Sequence, residues 1–126
     1  IKNLIDENRY NDALKVINKC LEIMPDKSLM YDHFSVQIVE YLIDLNQKAD
    51  LNTMNLANEI AELTSVRADE TLNYYFDNGI KNRYEIQRNL VSLNTLARAY
   101  SKTDKQDLSK KYRELFENNY SRSSIN

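Results

Sequence analysis

The stretch Tyr10-Asn11-Asp12-Ala13-Leu14-Lys15-Val16-Ile17-Asn18-Lys19-Cys20-Leu21-Glu22-Ile23-Met24-Pro25 decides how this chain is read. Tyr10, Ala13, Leu14, Ile17, Cys20, Leu21 and Met24 recur at steps of three and four, which gathers them on one face of an α-helix. Pro25 ends that helix, because its ring pushes the preceding residue out of the α region. Upstream, Ile1 to Glu7 reads as the tail of another helix, and Asn8-Arg9 as the turn between the two. The chain opens, then, on a helical hairpin.

The pattern continues outward. A helix is expected from about Leu29 to Asn46, with Phe34, Ile38, Tyr41, Leu42 and Leu45 as its stripe. Lys48 to Leu51 form a loop, and Asn52 is the expected N-cap of the next helix. That helix spans roughly Thr53 to Phe76, with Leu56, Ala57, Ile60, Leu63, Ala68, Leu72 and Tyr75 facing inward. Asp77-Asn78-Gly79 is the strongest break, since Gly79 takes the left-handed conformation that closes a helix at no steric cost. A fifth helix covers about Ile80 to Ser101. Its stripe of Ile86, Leu90, Leu93, Ala97 and Tyr100 suits near-antiparallel packing. Thr103-Asp104 make the last turn and cap, and a final helix carries Leu108, Tyr112, Leu115 and Phe116. The polar tail, residues 121–126, is expected to fray.

Composition agrees with this reading. The 126 residues include one Gly, one Pro and one Cys. A sandwich or doubly wound sheet needs many more turn residues. A single cysteine forms no internal disulfide. The fold class expected is all-α: about six helices in three antiparallel hairpins, forming one domain over residues 1–126 that is part of a longer chain. A net charge of −2 creates no field toward nucleic acid, so no nucleic-acid partner is expected. No apolar run approaches the ~20 residues that cross a bilayer.

The opening hairpin resembles a tetratricopeptide (TPR) repeat. Ala13, Ile17, Cys20 and Pro25 stand in the small–large–small–proline order of its second helix. The small residues let the paired helix approach, Ile17 fills between them, and Pro25 lets the chain turn back. One ~34-residue period on, Gln47 and Glu59 fit neither role, so the chain is not a regular solenoid.

A wider resemblance rests on the order of several short motifs. These are Asn11 to Ile17, Cys20 to Pro25 and Tyr31-Asp32-His33-Phe34, then Leu56 to Ala61 and Leu72-Asn73-Tyr74-Tyr75, then Glu85 to Leu90 and Leu93 to Ala97. In that order they resemble the C-terminal soluble region of bacterial multi-pass membrane proteins of the protein O-mannosyltransferase-like (glycosyltransferase-C) class. The resemblance implies a TPR-like accessory domain on the periplasmic face of the inner membrane. Its partner would be a protein or peptide, or the membrane region of its own parent chain. Glycosyl transfer would belong to that membrane region, and the family's catalytic carboxylates map onto nothing here.

Two other functions stay open: a free-standing TPR-like adaptor that holds a peptide in its groove, and an enzyme built in a helical bundle. For the enzyme no constellation of catalytic residues is evident, and no catalytic, metal or cofactor site is expected. His33, the only histidine, reads as a surface or cap residue. Cys20 reads as a small packing residue rather than a reactive thiol. Tyr31, Tyr74, Tyr75 and Tyr84 cluster near hairpin ends and are the candidate groove residues, because a rigid ring with one polar handle suits peptide contact. Residues 50–77 hold six acids against Arg67, and residues 81–102 hold five bases against Glu85. Lys81, Arg83, Arg88 and Arg98 therefore form a candidate basic surface. It either complements the acidic helix across their seam or faces an anionic headgroup or lipid-phosphate donor.

Overall fold

The computed structural model describes residues 1–23 and 33–125. They form α1 (Lys2–Asp6), α2 (Tyr10–Ile23), α3 (His33–Ala49), α4 (Met54–Asp77), α5 (Arg83–Ser101) and α6 (Gln106–Ile125). There is no strand among the described residues. The fold is all-α. The stop at Pro25, the position of Tyr31, the start near Leu29, and the side chains of His33 and Phe34 lie outside what is described.

Scarcity of glycine does not deprive the chain of tight reversals. Asn8, Asp50 and Asn52 adopt φ of 61°, 52° and 53°, and Gly79 adopts 65°. Short Asn and Asp side chains tolerate this left-handed region better than other L-residues. After Asn8, the Arg9 amide donates back to the Leu4 carbonyl at 2.8 Å, which closes the α1–α2 turn. Asn52 is spent on the turn, so it is not the cap of α4. Thr53 holds the N-cap position without a capping bond of its own side chain. Its hydroxyl instead donates to the Leu42 carbonyl at 2.5 Å and ties α4 to α3. At α5 the helix begins three residues later than the sequence suggests. Asn82 is the cap, its side chain accepting the Glu85 amide at 3.2 Å.

Ala13 and Ile17 of α2 are fully buried, as their spacing requires, while Cys20 is half-buried. α3 lies at the centre. Val36, Ile38, Val39, Leu42, Ile43 and Leu45 are all buried, more than one stripe of a surface helix would hide. It packs against α2, α4 and α5, and α6 packs on α4 and α5 from elsewhere in the bundle. α4 corrects the sequence reading at Leu63, which is exposed. Its hidden face is Ala57, Ile60, Ala61, Thr64, Ser65, Ala68 and Leu72. These mostly small residues let three neighbours approach one helix.

The two ends of the bundle differ. At the end where α3 and α5 finish, Tyr100 and Tyr112 pack with ring centroids 5.5 Å apart. The Tyr100 hydroxyl donates to Asn58 Oδ1 at 2.8 Å, Ser109 Oγ to the Ala97 carbonyl at 2.8 Å, and Gln47 Nε2 to the Lys102 carbonyl at 2.9 Å. Burial pushes both phenols well above their ordinary range. Tyr100 is further raised by Tyr112, and Tyr112 by Glu62. At the other end a small separate core of Ala68, Leu72, Leu90 and Leu93 is covered only by Phe76, Ile86, Leu115 and Phe116.

α6 is helical to residue 125, through most of the polar tail. Arg122 holds it down: it donates to Asn73 Oδ1 at 2.6 Å and Asp77 Oδ1 at 2.7 Å, and stands 5.0 Å over the Phe76 ring.

Candidate functional site: a basic-lipped apolar cavity at the α4–α5 turn

The Asp77-Asn78-Gly79 break does more than end α4. Ile80 donates its amide to the Tyr75 carbonyl at 2.9 Å and Asn78 donates to Tyr74, so the chain leaves the helix in a tight bend. Residues 80–82 then run across the end of the bundle before Asn82 starts α5. The last turn of α6 is clasped to α4 by Arg122 and stands beside this bend. The three pieces do not close on one another. They leave a cavity of about 410 Å³, within the usual size of a small-ligand or side-chain pocket.

Its walls follow from the helix periods. Leu90 is buried, and Phe76, Tyr75 and Ile86 are half-buried, so they form the apolar interior. Ile80 flanks it from the bend. Lys81 and Arg83 are exposed and form a basic lip, with Gln87 and Ser123 as further polar lining. Among the described residues no carboxylate lines the cavity. The acids flanking it in sequence are paired: Asp77 with Arg122 at 2.7 Å and Glu85 with Arg88 at 3.9 Å. An apolar recess beside two cations favours a ligand that is greasy at one end and anionic at the other.

Of the residues singled out by sequence, Tyr75, Lys81 and Arg83 meet here. Tyr74 does not: it is exposed on the far side of α4, its ring 6.2 Å from that of Tyr75. Tyr84 and Arg88 line a separate concavity of about 300 Å³ on the outer face of α5, with Gln87 and Val91. Arg98 stands in the last turn of α5, toward the opposite end. Tyr74, Tyr75 and Tyr84 thus do not line one groove, Tyr31 lies outside the described residues, and the four bases do not form one surface.

Three acids of α4 bond across to α6. Glu62 pairs with Lys111 at 2.7 Å, Asp69 accepts Asn119 Nδ2 at 2.8 Å, and Asp77 pairs with Arg122. Lys81 and Arg83 stand on the cavity lip.

Sequence reasoning missed Phe76, Ile80 and Arg122. Phe76 and Ile80 flank the break it did identify. Arg122 is 45 residues from Asp77 and carries no local signal. Among the described residues, no group of three His, Cys, Asp or Glu is placed to hold a metal, and no helix is long and apolar enough to cross a membrane. No protein family, curated protein or solved structure matches this chain.

Proposed function

We propose that this domain is a protein-docking module, and that its contact site is the cavity at the α4–α5 turn. The observation that carries the reading is an open apolar recess of about 410 Å³ whose lip holds Lys81 and Arg83 and, among the described residues, no acid. The fitting partner is a peptide segment with an aromatic or leucine side chain close to an aspartate or glutamate. The apolar side chain enters between Phe76, Ile86 and Leu90, and the carboxylate meets the two cations. Burial of one such side chain contributes about 1.5–3 kcal/mol. Each exposed charge pair adds only ~0–1 kcal/mol. Binding strength then comes from the recess, and selection for acidic segments from the lip.

The order of sequence motifs supports placing such a module at the C-terminus of a membrane-embedded protein of the O-mannosyltransferase-like class. There it would bind protein at the periplasmic face or brace its own membrane region. A free-standing adaptor would use the same cavity. Membrane spans in the same gene, upstream of this domain, separate the two: their presence supports the first and their absence the second.

Selection of displayed random peptides on the whole chain tests the docking reading. Enriched peptides should pair an aromatic or leucine residue with Asp or Glu, and should be lost on the Lys81→Glu, Arg83→Glu double variant. No enrichment, or enrichment indifferent to that reversal, refutes it.

A further inference from the structure

Two exposed faces lie outside that cavity. On α4, Leu63 is 41% exposed, Val66 42% and Tyr74 60%, and the acids Glu59 and Glu70 are exposed among them. On α5, Tyr84 is 71% and Val91 46% exposed, with Arg98 exposed beside them and Arg88, which also pairs with Glu85 at 3.9 Å. At 100° per residue each set falls within an arc of about 80° on its helix. Both arcs lie opposite the buried residues of their own helix, and so away from the seam the two helices share. One face is apolar and carries two acids, with the exposed base Arg67 at its edge, about 20° beyond Tyr74; the other is apolar and basic.

We infer that the outward face of α4 docks on the outward face of α5 in a second copy of this chain, antiparallel and head to tail. Set antiparallel with Glu70 against Arg88, the other positions fall into line. Tyr74 meets Tyr84, Val66 meets Val91, Leu63 meets Thr95, and Glu59 meets Arg98. Slid by one turn either way, at most one acid meets a base, and Val66 faces Arg88 or Thr95. A parallel arrangement also sets Glu59 on Arg88 and Glu70 on Arg98. It leaves Tyr84, the most exposed aromatic of the set, without a counterpart.

The receiving face is already shaped. Tyr84, Gln87, Arg88 and Val91 surround the 300 Å³ concavity on α5. Their spacing of i, i+3, i+4 and i+7 outlines the hole into which a facing helix inserts a side chain. In the antiparallel register Glu70 sits over it, its carboxylate toward Gln87 and Arg88, flanked by Val66 and Tyr74. Because the α4 face binds an α5 face rather than itself, the contact is heterologous and builds open chains or rings. One helix on one helix buries less than the ~1,200 Å² of a standard interface, so the association is weak and grows with concentration.

Sedimentation velocity on the whole chain, from micromolar to submillimolar concentration at low salt, tests this. The average mass should rise with concentration, and added salt should lower it. Glu59→Arg alone and Arg98→Glu alone should each weaken association by about tenfold, from like charges brought together. Their equimolar mixture should restore it, because each variant then meets its complement. Glu117→Arg, an exposed α6 position on neither face, should change nothing. Glu59, Arg98 and Glu117 are exposed and Arg88 is half-buried, and circular dichroism checks that each variant is folded. A mass that stays monomeric throughout, or a mixture no tighter than its components, overturns the inference. Rescue of Glu59→Arg by Arg88→Glu in place of Arg98→Glu overturns the antiparallel register.

Discussion

The two ends of this bundle are built from the same helices and the same kinds of residue, yet one is sealed and the other open. At the sealed end four helix termini meet, and each finds a partner. Thr53 bonds to Leu42, Ser109 to Ala97, Gln47 to Lys102, and Tyr100 to Asn58 while packing on Tyr112. At the open end α4, the bend and the last turn of α6 meet around an apolar recess, with the Arg122 clasp as the main tie. The difference teaches where a helical bundle keeps a usable surface. Buried hydrogen bonds that cross between helices hold the sealed end in one arrangement. At the open end apolar side chains remain half-exposed, available to a partner.

The comparison breaks first, if it breaks, on core truncation. Leu42→Ala, fully buried at the sealed end, should cost about 2–5 kcal/mol of unfolding free energy. Leu90→Ala, whose side chain already borders the cavity, should cost about 1–2 kcal/mol, since it removes fewer packed contacts. Equal losses in urea titrations would mean that the two ends are packed alike.

Alkaline pH should act on the sealed end. Tyr100 and Tyr112 hold their protons more tightly folded than unfolded, because burial disfavours the phenolate. Their stabilising contribution is full below the ordinary tyrosine value of 10.0 and is lost as pH rises above it. Stability should fall from pH 10 upward by as much as about 1.4 kcal/mol per pH unit for each phenol. Tyr112→Phe should lessen that slope. A flat stability between pH 10 and 11 in thermal melts would contradict the burial of these hydroxyls.

Arg122→Ala should cost about 1 kcal/mol, two charge-assisted bonds at a partly exposed site plus a cation–π contact. Amide exchange should quicken in the last two turns of α6 and leave α5 near Tyr100 unchanged. The smallest contrast lies within the tyrosine pair. Tyr100→Phe leaves Asn58 without its donor and should cost about 1 kcal/mol. The buried Tyr112 hydroxyl has no hydrogen-bond partner among the described residues, so Tyr112→Phe should lie within ~0.5 kcal/mol of neutral.

How much of this was legible beforehand follows from what each feature depends on. Ala13, Ile17, Leu90, Leu93, Ala97 and Tyr100 are buried where their spacing placed them, because helical period is a local property. The face of α4 was misread at Leu63. Ala57, Ile60, Ala68 and Leu72 are buried as their spacing predicts, but Ala61, Thr64 and Ser65 complete the seam, and they fit there because they are small. Asn119 is buried because Asp69 and the Leu115 carbonyl accept its amide, a fit that composition does not reveal. Gly79 marked the bend. The recess beside it depends also on the end of α6, brought there by Arg122 across 45 residues of sequence. Lys81 and Arg83 were singled out as bases, but that they share a recess with Tyr75 and Leu90 is a tertiary fact.

The most direct test of the open end is a methyl NMR titration of the whole chain with 3-phenylpropionate, an aromatic ring on a carboxylate, against its neutral amide. The account expects the methyl signals of Ile80, Ile86 and Leu90 to shift with the acid and less with the amide. The signals of Leu42 and Leu96 should stay still, and the acid's advantage should disappear in the Lys81→Glu, Arg83→Glu variant. Shifts centred elsewhere, or the same response to acid and amide in the unmodified chain, would contradict it.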